Sequence, residues 1–149
     1  MTTTSSLDRG LLVTRLAIGS VFVAHGAQKL FEFGLAGTAG FLDSVGVPFA
    51  SLNALALIAV ELGGGLAILT GLFTRAAAAL TAFAMLVAVT IVHLPHGYFL
   101  PNGMEFALTL LLGSIGITQA GAGRYSVDAW LAGRQPAAAR ATVELRRAA

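Results

Sequence analysis

The chain has 149 residues, of which 56% are hydrophobic and 11% charged, with a mean hydropathy of +0.83. Soluble domains carry roughly 25% charged residues, so a surface that meets water on all sides is excluded, and the net charge of +2, with no soluble basic face to carry it, excludes nucleic-acid binding. Cysteine is absent, which excludes disulfides, thiolate metal sites, cysteine-held iron–sulfur clusters and a thiol relay through this chain.

In chain order, residues 1–9 read as a short polar, disordered tail. The first apolar span covers about residues 10–31; it is too long for a signal-peptide core and is expected to be a retained helix. The connection from Glu32 to Ser51 holds Gly34, Gly37, Gly40, Gly46 and Pro48. Thr38 is expected to cap a short helix there, ended by Gly46 and lying in the membrane interface. Spans two and three cover about residues 52–73 and 76–92, joined by Thr74 and Arg75 alone, which predicts a tight antiparallel hairpin. Residues 93–103 contain Pro95, Gly97, Pro101 and Gly103, which argue against a regular helix, while Tyr98 and Phe99 suit the headgroup level. The fourth span covers about residues 104–120, and residues 132–149 form a polar Ala/Arg-rich tail. These elements predict an all-α, integral membrane four-helix bundle. Six arginines lie in the two tails (Arg9, Arg124, Arg134, Arg140, Arg146 and Arg147). They share one side with Arg75, so the positive-inside rule predicts that both termini are cytoplasmic.

Ionisable groups inside a span cost several kcal/mol unless paired or hydrated. On span one, Arg15, His25, Lys29 and Glu32 fall within an arc of about 100° at helical spacing, with Gln28 nearby. That face is expected to meet protein rather than lipid, although Lys29 and Glu32 also fit snorkelling at a helix end. Glu61 lies near the middle of span two and needs a cation, or must be protonated. Arg15 from below and His25 from above are the expected partners, and a buried Arg15–Glu61 ion pair is the structural expectation. Gly64 and Gly65 beside it permit close approach of another backbone. With the predicted topology, His25, Gln28, Lys29, Glu32, His93, His96, Asn102 and Glu105 gather in the outer half, above Glu61.

Histidines and carboxylates beside a half-apolar pocket suit a quinone head group. Histidine or lysine can hydrogen-bond an oxygen, and a carboxylate can carry the proton released on quinol oxidation. Glu61 is the expected proton carrier, with His25 and His93 on the head group. Gln28, Lys29, His96, Asn102 and Glu105 are the expected binding residues. A metal held by His25, His93, His96 and Glu105, or a haem between two histidines, is a weaker alternative, because the spacing matches no metal signature. No metal and no covalently bound cofactor are therefore expected. A solute or proton conduit is a further alternative, short of polar groups below Glu61 apart from Arg15, Thr70 and Gln119.

Several segments in order resemble the DoxX family: His25-Gly-Ala-Gln-Lys29, Glu61-Leu-Gly-Gly-Gly65, Gly71-Leu-Phe-Thr-Arg75, the run from His93 to Gly103 with Glu105, and Gly123-Arg-Tyr-Ser-Val-Asp128. The resemblance covers about residues 11–131. It implies a multi-pass protein of a bacterial or archaeal inner membrane, associated with quinol oxidase or thiosulfate:quinone oxidation, or with thiol-redox assemblies. Partner subunits or a homo-oligomer are implied, and a non-catalytic membrane anchor is the alternative role. The missing cysteines count against a direct thiol role here. The motif positions carried onto this chain are His25, Gln28, Lys29, Glu61, Arg75, His93, His96, Asn102 and Glu105.

Overall fold

A computed structural model describes residues 3–133, with side chains from Ser6 onward. All regular structure among them is helical. Helix α1 runs over Thr3–Gln28 and continues through a π-helical turn, Lys29–Phe33. Residues 3–9, expected as a tail, are therefore the first turns of this helix; the sequence continues into the apolar span without a glycine or proline before Gly10. Gly34 (φ +67°) breaks the path, a conformation that costs glycine alone nothing. Helix α2, Gly34–Ser44, follows.

Helix α3 spans Ala50–Thr70, helix α4 Thr74–His96 and helix α5 Glu105–Ala120. The middle turn of α3, Val60–Gly64, is π-helical, as is Ala88–His93 in α4, which closes with a 3-10 turn, Leu94–His96. The third span thus continues past its expected end at residue 92, because Pro95 sits in the first turn of the 3-10 segment, where no N–H is needed. A short helix α6, Val127–Gly133, had no counterpart in the sequence reading. Most of the tail expected over 132–149 lies outside the described residues.

By length and composition α1 with α2, α3 and α4 are each apolar enough to cross a membrane, and α5 is a shorter apolar helix. Helix α1 packs on α3, α3 on α4, α4 on α5, and α5 returns to α1, closing a four-helix ring. Large apolar side chains point outward, including Val13, Leu52, Phe83 and Leu112. The interior combines large side chains such as Phe22, Ile68 and Ile117 with small ones such as Ala54, Ala78, Thr81 and Ser114. So much exposed apolar surface departs from the pattern of a soluble domain and is the arrangement of a bundle with apolar surroundings. The closest approach joins α1 and α3: a Cβ on Gly65 would lie 2.7 Å from Val23 N, and one on Gly26 would collide with the backbone at Leu62. Gly65 therefore does what its position beside Glu61 suggested. Across α4 and α5, Thr81 donates to Ser114 Oγ at 3.3 Å.

Arg15 anchors the opposite end of the ring from the connection between α4 and α5. It is 1% exposed. Its guanidinium donates to Ile68 O (2.8 Å) and Leu69 O (3.0 Å) at the end of α3. It also donates to Ala122 O and to Tyr125 O (2.9 Å) beyond α5. The last carbonyls of a helix lack partners within it and carry partial negative charge, so a buried cation there is well matched. The expected Arg15–Glu61 pair is not formed: Arg15 engages carbonyls about two turns along α3 from Glu61, and Phe22 and Ile68 fill the core. Beside it, Asp128 accepts from Phe73 N (2.8 Å), Thr74 N (3.1 Å) and the Thr74 hydroxyl (3.1 Å). Asp128 N donates back to Gly71 O at 2.9 Å. The segment after α5 thereby fastens the tight α3–α4 turn and caps α4.

Arg15→Met, which keeps much of the side-chain length but leaves these carbonyls without donors, is expected to destabilise the bundle by about 3 kcal/mol or more. Equilibrium unfolding in mixed micelles, comparing Arg15→Met with Arg15→Lys, measures this. Wild-type stability in Arg15→Met would show that the clamp is dispensable.

Candidate functional site

The polar groups that come together do so around a cavity of about 220 Å³ enclosed by α1, α3, α4 and α5, with α2 and Val47 closing one side. Its walls are apolar, with Phe22, Leu42, Met85 and Leu110 among the buried contributors. Four polar side chains line it: His25, Lys29, Glu61 and His93.

Three of these four lie in π-helical turns: Lys29 in Lys29–Phe33, Glu61 in Val60–Gly64 and His93 in Ala88–His93. A π turn inserts one extra residue into an α-helix and rotates the side chains that follow, and such turns are frequent at functional sites. Lys29 Nζ lies 2.7 Å from Glu61 Oε2, with side chains 19% and 4% exposed. The ammonium approaches that oxygen as a counter-ion but not along a hydrogen-bonding direction, so Oε2 has no aligned donor among the described residues. Thus the cation matched to Glu61 is Lys29. Its contact with a buried carboxylate is what distinguishes Lys29 from a residue that merely snorkels at a helix end.

His93 Nδ1 lies 3.0 Å from Asn102 O. A carbonyl can only accept, so Nδ1 carries the hydrogen, and the loop between α4 and α5 sets the tautomer. His25 occupies the rim, its exposed ring 6.0 Å from that of Phe106 and tilted by 46°.

The remaining expected binding residues are placed elsewhere. Gln28 donates to Glu32 at 3.1 Å along the exposed end of α1. His96 turns its Nδ1 to Val92 O of its own helix at 2.9 Å. Asn102 meets His93 through its backbone oxygen, and its side chain is outside the cavity lining. Glu105 Oε1 accepts from Leu100 N at 2.8 Å and so holds the loop. Asn102 and Glu105 therefore support the site rather than line it. Neither His96 nor Glu105 lines the cavity, and no group of three or more His, Asp or Glu suited to a metal is present among the described residues. The four-ligand metal set considered from sequence is not assembled.

The sequence reading missed Phe106 and the contribution of Phe41, Leu42 and Val47 to the cavity wall. Nothing distinguishes these apolar residues in a chain that is 56% hydrophobic. The cap expected at Thr38 is also absent: Thr38 is buried within α2, and its hydroxyl reaches back toward Lys29 O at 3.5 Å. That contact ties α2 to the wide turn that carries Lys29.

The described residues thus form an all-helical bundle of membrane character with a charged, otherwise apolar cavity. The DoxX family model matches residues 10–94, and the chain belongs to the DoxX family. It is 37% identical over 126 residues to Inner membrane protein YqjF of Escherichia coli, covering 81% of this chain and 91% of that protein. It is 35% identical over 123 residues to a Bacillus subtilis protein named "Putative oxidoreductase CatD", covering 83% and 87% of the two chains. Uncharacterized membrane protein Rv3486 of Mycobacterium tuberculosis is 30% identical over 138 residues, covering 85% and 84%. No solved structure matches the chain.

Lys29→Met leaves the Glu61 carboxylate buried without its cation and is expected to destabilise the bundle by about 3–5 kcal/mol. Removing both charges, in Lys29→Met with Glu61→Leu, should recover most of that loss. A double-mutant cycle by unfolding in mixed micelles measures it, and strictly additive effects would mean that the two groups are not coupled.

Proposed function

We propose that this DoxX protein is a multi-pass subunit of a redox assembly in the bacterial inner membrane, and that its cavity takes the head group of a quinone–quinol couple. The observation that carries the proposal is the meeting of Lys29, Glu61, His93 and His25 in a cavity whose remaining walls are apolar. Its volume of about 220 Å³ falls below the roughly 300–1,000 Å³ of drug-sized ligand sites. That size suits a single ring with its tail left outside, and the apolar outer surface of the bundle offers surroundings in which a lipid tail dissolves. One relative bears an oxidoreductase name, in keeping with this reading.

In this reading Glu61 accepts and passes on a proton from the ring. His93 and His25 contact the ring oxygens, and Lys29 balances negative charge as it develops. Electrons leave to a partner subunit that holds a redox centre. The arginine distribution orients both termini, and the α3–α4 turn that carries Arg75, toward the cytoplasm. The cavity then lies in the outer half of the membrane.

A second reading, as a membrane anchor for another complex, draws support from Gln28 and His96. Both are polar, neither lines the cavity, and both lie near its end of the bundle, where a partner could meet them.

The deciding measurement is the quinone content of protein purified gently from native membranes, by organic extraction and mass spectrometry. Near-stoichiometric quinone is expected, falling at least tenfold in Glu61→Gln and in His93→Ala. Background quinone in a folded preparation that carries a stoichiometric partner protein would replace this reading with the anchor.

A further inference from the structure

The polar groups around the cavity include two acceptors without an aligned hydrogen-bond donor among the described residues. Glu61 is 3% exposed, and its Oε2 has an ion-pair partner in Lys29 but no aligned hydrogen-bond donor. An ionised carboxylate only accepts. On α4, the Asn102 carbonyl fixes the hydrogen of His93 on Nδ1. In the neutral ring the other nitrogen, Nε2, is therefore an acceptor, and it has no hydrogen-bond partner among the described residues. Two helices thus each bring an acceptor to one cavity: the Glu61 carboxylate, held by its counter-ion rather than by an aligned N–H, and the His93 ring. The fixed donor is the Lys29 ammonium, already drawn to Glu61. His25 has no side-chain hydrogen bond and can act in either sense.

We infer that the cavity selects a ligand with two hydrogen-bond donors: a dihydroxylated aromatic ring, held in its reduced form in preference to its oxidised form. This rests on the quinone–quinol reading above and adds a redox-state preference to it. One hydroxyl can donate to Glu61 Oε2 while accepting from Lys29, and the other can donate to His93 Nε2. The oxidised ring has only carbonyl oxygens. Those oxygens can accept from Lys29 but set lone pairs against the Glu61 carboxylate and against His93 Nε2, so neither gains a hydrogen-bond donor from the ligand, which is costly in an apolar enclosure. Sites built to bond a hydroxyl reject analogues that lack it for this reason. His93 is accordingly a specificity-determining residue, and the loop carbonyl at Asn102 acts through it.

The test uses the full chain in nanodiscs, without oxygen, at about pH 8, above the ordinary imidazole range. Binding constants are measured for a short-tailed hydroquinone, for the benzoquinone of the same substitution and for the dimethyl ether of the hydroquinone. The hydroquinone is expected to bind at least tenfold more tightly than the benzoquinone, with the ether weakest. Each tenfold preference raises the potential of the bound two-electron couple by about 30 mV. His93→Ala should shrink the preference and lower hydroquinone affinity. Equal affinities, or tighter benzoquinone binding, in the wild-type protein would overturn the redox-state preference and leave a quinone site standing. Absence of saturable binding by all three rings would overturn both.

Discussion

An unmatched charge inside an apolar bundle costs several kcal/mol, and this constraint shapes both ends of the molecule. Arg15 and Glu61 are each almost completely buried. They are not matched to one another. Arg15 is satisfied by backbone carbonyls at the end of α3 and in the segment beyond α5, while Glu61 is balanced by Lys29 from α1. Separating the two charges gives the bundle two different devices. The guanidinium has four of its five N–H donors in use, and it locks three chain segments together. The carboxylate is held by its counter-ion, without an aligned hydrogen-bond donor, beside a cavity.

The helices around the cavity are not uniform. Three of them contain a π-helical turn at the level of a polar residue. Widening a helix in this way disturbs its regular hydrogen bonding, and it persists where packing and side-chain contacts support it. Here those supports are visible. The Lys29–Glu61 pair bridges two of the wide turns, Thr38 from α2 reaches toward the first, and the Asn102 carbonyl restrains the third through His93. The loop between α4 and α5 is held in turn by Glu105 and by backbone bonds from Met104 and Glu105 to Gly97 and Tyr98. A group that looks peripheral in the sequence can thus govern a proton position inside the site.

The segment from Gly123 to Asp128 shows how a motif without evident chemistry can still be decisive for architecture. Asp128 closes the α3–α4 turn by taking the free N–H groups at the start of α4, and the backbone at Tyr125 accepts from Arg15. Its distance in sequence from its partners hides this role. A carboxylate at a helix start is a local signal only when it precedes that helix, and Asp128 lies 54 residues after Thr74.

The sequence by itself determined the all-helical class, the apolar spans, the tight α3–α4 connection and the membership of Glu61 in a buried polar cluster. These follow from composition and from a hydropathy pattern longer than a soluble helix needs. It also marked Lys29, His25 and His93 as candidates, because polar groups in such spans are rare and costly. Only the tertiary structure decided which charge meets which. A wheel drawn at 100° per residue placed Arg15, His25, Lys29 and Glu32 on one face, but the π turn at Lys29–Phe33 breaks that periodicity, and Glu32 is exposed. The partner of Glu61, the tautomer of His93 and the apolar wall from α2 and Phe106 depend on contacts between distant parts of the chain. No local pattern encodes them, because each is settled by packing and hydrogen-bond geometry across helices rather than along one.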